Sequence, residues 1–134
     1  MSLQWTRALS TGIREIDDQH KELFSRINTM LDIIVESSEI DAIDKVMDFL
    51  DEYVVSHFAT EEGLMTRFDY PDLQHHMRQH EEFTREFSLF KERFTREGPS
   101  SFLAIQVENM LVEWWTNHIN KIDKVLGAFL QDKL

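Results

Sequence analysis

Apolar residues recur along this chain at intervals of three and four, in four long runs separated by short polar breaks. The first run is Leu23, Phe24, Ile27, Met30, Leu31 and Ile34; the second is Ile43, Val46, Met47, Leu50, Val54, Phe58, Leu64 and Met65. The third is Leu73, Phe83, Phe87, Phe90 and Phe94, and the fourth Leu103, Val107, Leu111, Trp114, Ile122, Leu126 and Phe129. Such spacing lays one apolar stripe along a helix of 3.6 residues per turn. The breaks are ESSEIDAID (36–44), FDYPDL (68–73) and EGPSS (97–101). Asp17 or Asp18 is the expected cap of the first helix and Asp41 of the second. Pro71 suits the first turn of a third helix, Gly98 can end it, and a serine can cap the fourth. An arm with its flexible point at Gly12 precedes the helices, up to about Ile16. The expected fold is all-α: one domain over 1–134, an N-terminal arm (1–16) and an up-down-up-down four-helix bundle (17–134).

The stripes also carry residues that do not belong in an apolar core. His76 and His80 extend the third stripe backward, one turn apart and on one face. His75 is about 100° away on the helical wheel, in line with Gln79, Glu82 and Glu86, and is expected to face solvent. His20 joins the first stripe, three residues before Leu23. His57 and Glu61 lie one turn apart in phase with Val54 and Leu64, and a glutamate there is costly unless paired or bound to a cation. His118 is in phase with Trp114 and Leu111. Asp123 follows five residues later, about 140° round an α-helix, so those two are expected to flank a site without sharing a face.

Composition removes most competing chemistries. The 134 residues include no cysteine, which excludes disulfides, thiolate metal sites and cysteine nucleophiles. A net charge of −11 repels nucleic acid and anionic membrane. No apolar stretch approaches the ~18 residues of a membrane span, and MSLQWTRALS lacks the apolar core of a signal peptide. A cytoplasmic location is expected.

His20, His57, His76, His80 and His118, with Glu61 and Asp123, therefore supply seven ligand-type side chains from all four helices. Bundle interiors are where helical proteins build metal sites. Seven ligands exceed what one octahedral ion takes from protein but suit two ions sharing bridging carboxylates. Imidazole and carboxylate without sulfur fit iron, with manganese and zinc open on ligand type alone.

The segments GIREIDDQHKELF (12–24), HFATEEGLM (57–65), HMRQHEEF (76–83) and WWTNHINKID (114–123), with Trp5, resemble those of the bacteriohemerythrins, non-haem di-iron oxygen-binding proteins. The resemblance spans nearly the whole chain and fills all seven ligand positions. It implies that His76, His80 and His118 bind one iron, that His20 and His57 bind the other, and that Glu61 and Asp123 bridge them beside a hydroxo or oxo group. That set leaves one open coordination position, on the two-histidine iron, for O2 or for small anions such as azide. The resemblance also implies that Leu23, Phe58, Trp114, Trp115 and Ile119 line it, apolar residues that do not readily protonate a bound ligand. Trp115 stands where the family often has leucine, and its larger ring is expected to narrow the pocket.

Reversible O2 binding for storage, transport or delivery is the reading these features favour. An O2-sensing domain would use the same site but needs an output module, and the sequence ends at Leu134. A di-iron oxidase or peroxidase is the enzymatic alternative. Against it, ferritin-like oxidases use more carboxylates and a Glu-x-x-His motif, which does not occur here. A bundle in which metal serves only structure would explain the ligands but not the open position.

Overall fold

The computed structural model describes residues 3–36 and 39–134. Ser37 and Ser38, in the expected first break, lie outside the described residues. Four long helices form the bundle: α1 (Arg14–Glu36), α2 (Ile40–Arg67), α3 (Leu73–Glu97) and α4 (Ser101–His118). The last continues through a π-helical turn (Ile119–Asp123) into α5 (Lys124–Leu130). There is no strand among the described residues, and no described helix is long and apolar enough to cross a membrane.

The helix ends follow local chemistry, with two corrections to the expected caps. Neither Asp17 nor Asp18 caps α1, which starts earlier, at Arg14. Asp17 instead sits in the first turn and holds the arm: its Oδ1 accepts from the Thr11 backbone N–H and hydroxyl, both at 2.8 Å, and its Oδ2 accepts from Ser10 Oγ. Asp41 likewise lies inside the first turn of α2, whose cap position is Glu39. There its charge favours the positive end of the helix without closing a cap. Pro71 lies just before α3 and not in its first turn as expected, because the helix begins at Leu73 with Asp72 at the cap position. Gly98 ends α3 at φ 82°, a conformation that glycine adopts without a Cβ clash. The Ser100 hydroxyl caps α4, accepting from the Leu103 N–H at 3.1 Å.

The arm is seated by close backbone approach. A Cβ at Gly127 would stand 2.0 Å from the Thr11 carbonyl oxygen, so only glycine lets α5 pass the arm. The core divides into two apolar clusters. The larger contains Leu23, Phe58, Phe83, Phe87, Trp115 and Ile119, the smaller Ile13, Ile16, Met65, Tyr70, Leu126 and Leu130. Burying a ring such as Phe83 or Phe87 contributes about 2–3 kcal/mol. Val46, Leu64, Leu73, Phe90, Trp114 and Phe129 border these clusters half-buried, and Ile122 is also half-buried.

Between the clusters lies a polar layer, and each helix crosses it in register. In α1, His20 stands between Ile16 of the small cluster and Leu23 of the large one; in α2, Glu61 stands between Met65 and Phe58. In α3, His80 precedes Phe83, and at the end of the π turn Asp123 precedes Leu126. Three or four residues separate each polar group from its apolar neighbours, so one helical phase puts both in the interior.

Candidate metal centre

Seven side chains meet in this layer, and each is at most 2% exposed: His20, His57, Glu61, His76, His80, His118 and Asp123. They fall into two sets of ligand-type atoms, each within 4.8 Å of one another. One set is Glu61, His76, His80, His118 and Asp123; the other is His20, His57, Glu61 and Asp123. The carboxylates belong to both.

Each carboxylate is divided between the two sets by its own oxygens. Glu61 Oε1 lies 3.1 Å from His80 Nε2 and 3.3 Å from His76 Nε2, while Oε2 lies 3.5 Å from His57 Nε2. Asp123 Oδ1 lies 3.1 Å from Nε2 of both His76 and His118, while Oδ2 lies 3.0 Å from His20 Nε2. None of these oxygens or Nε2 atoms has an aligned hydrogen-bond partner. So many buried, unsatisfied polar atoms facing one centre would be strongly destabilising in an ordinary core. They suit a cation, which needs lone pairs aimed inward.

The far sides of three imidazoles are hydrogen-bonded. His57 Nδ1 lies 2.7 Å from Gln19 Oε1, His80 Nδ1 lies 2.8 Å from Glu62 Oε2, and His118 Nδ1 makes a long 3.5 Å contact with Gln79 Oε1. An oxygen acceptor there places the proton on Nδ1 and leaves the Nε2 lone pair free for a metal. Sequence reasoning did not single out these three partners. Gln79 was expected on the solvent line with His75, yet it is half-buried, while His75 is exposed as expected. The available signal was adjacency: Gln19 precedes His20, Glu62 follows Glu61, and Gln79 precedes His80.

Electrostatics point the same way. Burial, reinforced by His20, lowers the His57 pKa to about 3, and burial with His118 and His76 nearby lowers that of His80 to about 2. Burial opposes charge on His76 too, but Asp123 and Glu61 outweigh it and raise its pKa to about 9. Burial and the Asp123 charge push Glu61 well above the usual carboxylate range. Asp123 is held well below that range, because His118, His20 and His76 outweigh its burial. Without a metal, burial and Asp123 therefore favour the protonated form of Glu61, and the two carboxylates favour the protonated form of His76; a metal cation would compensate the charge instead.

One correction concerns the α4 side. His118 and Asp123 share a face after all. Lys124 N–H donates to the Ile119 carbonyl five residues back, the π-helical pattern. That wider turn takes up the extra residue, which a regular α-helix would have rotated out of phase.

The five expected pocket residues surround the layer unequally. Leu23, Phe58, Trp115 and Ile119 are buried. The Trp115 ring lies 6.0 Å from His57, 6.5 Å from His20 and 6.2 Å from His118, so it borders both sets. It points inward, and its indole N–H finds no acceptor. Phe58 stacks on His80 at 3.7 Å and 7° while also lying 6.0 Å from His57. Trp114 is half-buried and stacks on His118, at 4.4 Å and 15°, beside the three-histidine set.

Comparison with known proteins gives the family. Residues 11–130 match the model of the hemerythrin HHE cation binding domain. The bacteriohemerythrin of Pseudomonas paraeruginosa is 36% identical over 121 residues, covering 90% of this chain and 76% of its own. That of Methylococcus capsulatus is 30% identical over 129 residues, covering 96% of both chains. A crystal structure of wild-type hemerythrin superposes with a TM-score of 0.82 at 30% identity, covering 96% of this chain and 98% of its own.

Proposed function

We propose that this chain, which belongs to the hemerythrin family, binds O2 reversibly at a non-haem di-iron centre and serves oxygen storage, transport or delivery. The observation that carries the reading is the division of Glu61 and Asp123, each with one oxygen toward either histidine set. His76, His80 and His118 would hold one iron, His20 and His57 the other, and the two carboxylates would bridge them. Bound, the iron pair supplies a reversible two-electron donor for O2.

The protein's contribution follows from its own residues. The three-histidine set offers five protein ligands and the two-histidine set four, so ligand access falls to the side of His20 and His57. The buried Leu23, Phe58, Trp115 and Ile119 would exclude water from the centre and offer no acid that readily gives up a proton. Binding without onward chemistry is the expected consequence. Hydrogen bonds from Nδ1 keep His57, His80 and His118 from rotating away. Opposing stripes on four packed helices hold the seven groups together.

The test is an absorption spectrum of anaerobically reduced, iron-loaded protein before and after O2. A charge-transfer band that appears with O2 and disappears on its removal supports the reading. Steady-state turnover with a reductant or peroxide would favour a di-iron oxidase or peroxidase, and no response to O2 would leave the metal a structural role.

A further inference from the structure

The hydrogen bonds behind the histidines are not equivalent. Gln19 and Gln79 present neutral amide oxygens to His57 and His118, whereas Glu62 presents a carboxylate to His80 at 2.8 Å. No such partner reaches His20 Nδ1 or His76 Nδ1. Glu62 follows Glu61 on α2, so one of these glutamates turns into the centre and the other reaches the back of an imidazole that contacts it. The His80 ring is also fixed on its face by Phe58, stacked at 3.7 Å. The Glu62 side chain is 32% exposed and the His80 side chain 3%, so the pair joins the rim of the bundle to its interior.

We propose that Glu62 is a positioning residue that makes His80 the strongest imidazole donor of the cluster and lowers the reduction potential of the iron His80 would bind. The inference rests on the proposed di-iron reading and deepens it. A carboxylate accepting from Nδ1–H draws that proton toward itself and increases electron density at Nε2. A richer donor stabilises the ferric ion more than the ferrous one, because the ferric ion carries the larger charge. An amide oxygen orients the ring with much less of this effect. The asymmetry favours release of the electron that O2 must receive from the buried, three-histidine side, away from the open position.

The experiment compares wild type with Glu62→Gln and Glu62→Ala. Iron content comes first: two irons per chain in the wild type support the underlying reading, and their absence counts against that reading and against this inference with it. Spectroelectrochemical titration of the loaded proteins then gives the midpoint potentials. Both variants are expected to move one of the two one-electron midpoints upward, with Glu62→Gln also weakening cobalt(II) binding by about tenfold. Melting of metal-free Glu62→Gln should match metal-free wild type, since packing is nearly unchanged. If Glu62→Gln fails to fold or load, Glu62→Ala decides, because the side chain it removes is partly exposed. Two bound irons with an unchanged midpoint in the variant that loads overturn the proposal.

Discussion

His118 and Asp123 are five residues apart, yet His118 Nε2 lies 3.1 Å from Asp123 Oδ1, because the helix widens into a π turn between them. A residue inserted into an α-helix is absorbed in this way when both flanking segments are held by packing. Deleting the exposed Asn120 should therefore restore a regular helix with the two side chains four residues apart and still in phase. Deleting Asn120, Lys121 and Ile122 together leaves an interval of two, about 200° round the helix, and should turn Asp123 out of the layer. Metal analysis is expected to find two irons in the single-deletion protein and fewer in the triple. Equal loss in both would show that the π turn is required in itself.

The contrast between the adjacent histidines is a second check. His75 is exposed, and His76 is 1% exposed and faces Glu61 and Asp123. His75→Ala should keep both irons and change stability by less than about 0.5 kcal/mol. His76→Ala should lose metal. Identical iron content in the two variants would remove His76 from the proposed set.

Metal removal should loosen the bundle. Glu61 and Asp123 are both 0% exposed and have no aligned hydrogen-bond partner. Leaving them without cations should cost roughly 3 kcal/mol or more, equivalent to a melting point lower by about 10 °C in a chain of this size. Calorimetry of metal-free and ferrous-loaded protein measures the difference, and restored iron should restore the melting point. Coincident melting curves would contradict this account of the layer.

The metal-free protein should also show a stability maximum near pH 6.5. Below that ordinary histidine value the unfolded chain takes up protons that native His57 and His80, with pKa values of about 3 and about 2, refuse. Native His118, also lowered by burial, does the same. The stability from each is complete above 6.5 and is lost as pH falls toward the native value, on the order of 1.4 kcal/mol per pH unit per group. Raised Glu61 opposes this with one proton, so the histidines prevail. Above 6.5 the sign reverses. His76, with a pKa of about 9, holds a proton the unfolded chain has released, so stability falls as pH rises through about 9. Urea titrations at pH 5, 6.5 and 9 test both limbs, and a monotonic profile would contradict the assignment.

Trp115 should limit access to the two-histidine side. Its ring is fully buried among Phe58, Phe83, His20 and His57. Leucine in its place leaves a cavity that can admit small ligands or water. Trp115→Leu should bind azide severalfold faster in the oxidised, iron-loaded protein and shorten the lifetime of the oxygenated form. Stopped-flow absorption would show both. Unchanged rates would move the gate to Leu23, Phe58 or Ile119.

The helices and six of the seven buried polar groups were legible in the sequence because helical phase is local. A histidine three residues from Leu23, or a glutamate three before Leu64, faces the side its neighbours face whatever the fold is. The same phase marked His75 as exposed. Local phase failed where a distant contact changes the backbone or chooses among partners. Asp17 and Asp41 have the chemistry of caps, but the arm claims Asp17 and α2 begins before Asp41. Asp123 was placed off-face because the sequence shows an interval of five and not whether packing will widen the turn. Gln19, Glu62 and Gln79 gain significance only once other helices bring His57, His80 and His118 within hydrogen-bonding distance. Trp115 could have faced either way by sequence; in the packed bundle it faces inward, against Phe58 and Phe83. Periodicity determines which side of a helix a residue occupies; what it meets there depends on contacts between residues far apart in the chain, which only the packed structure decides.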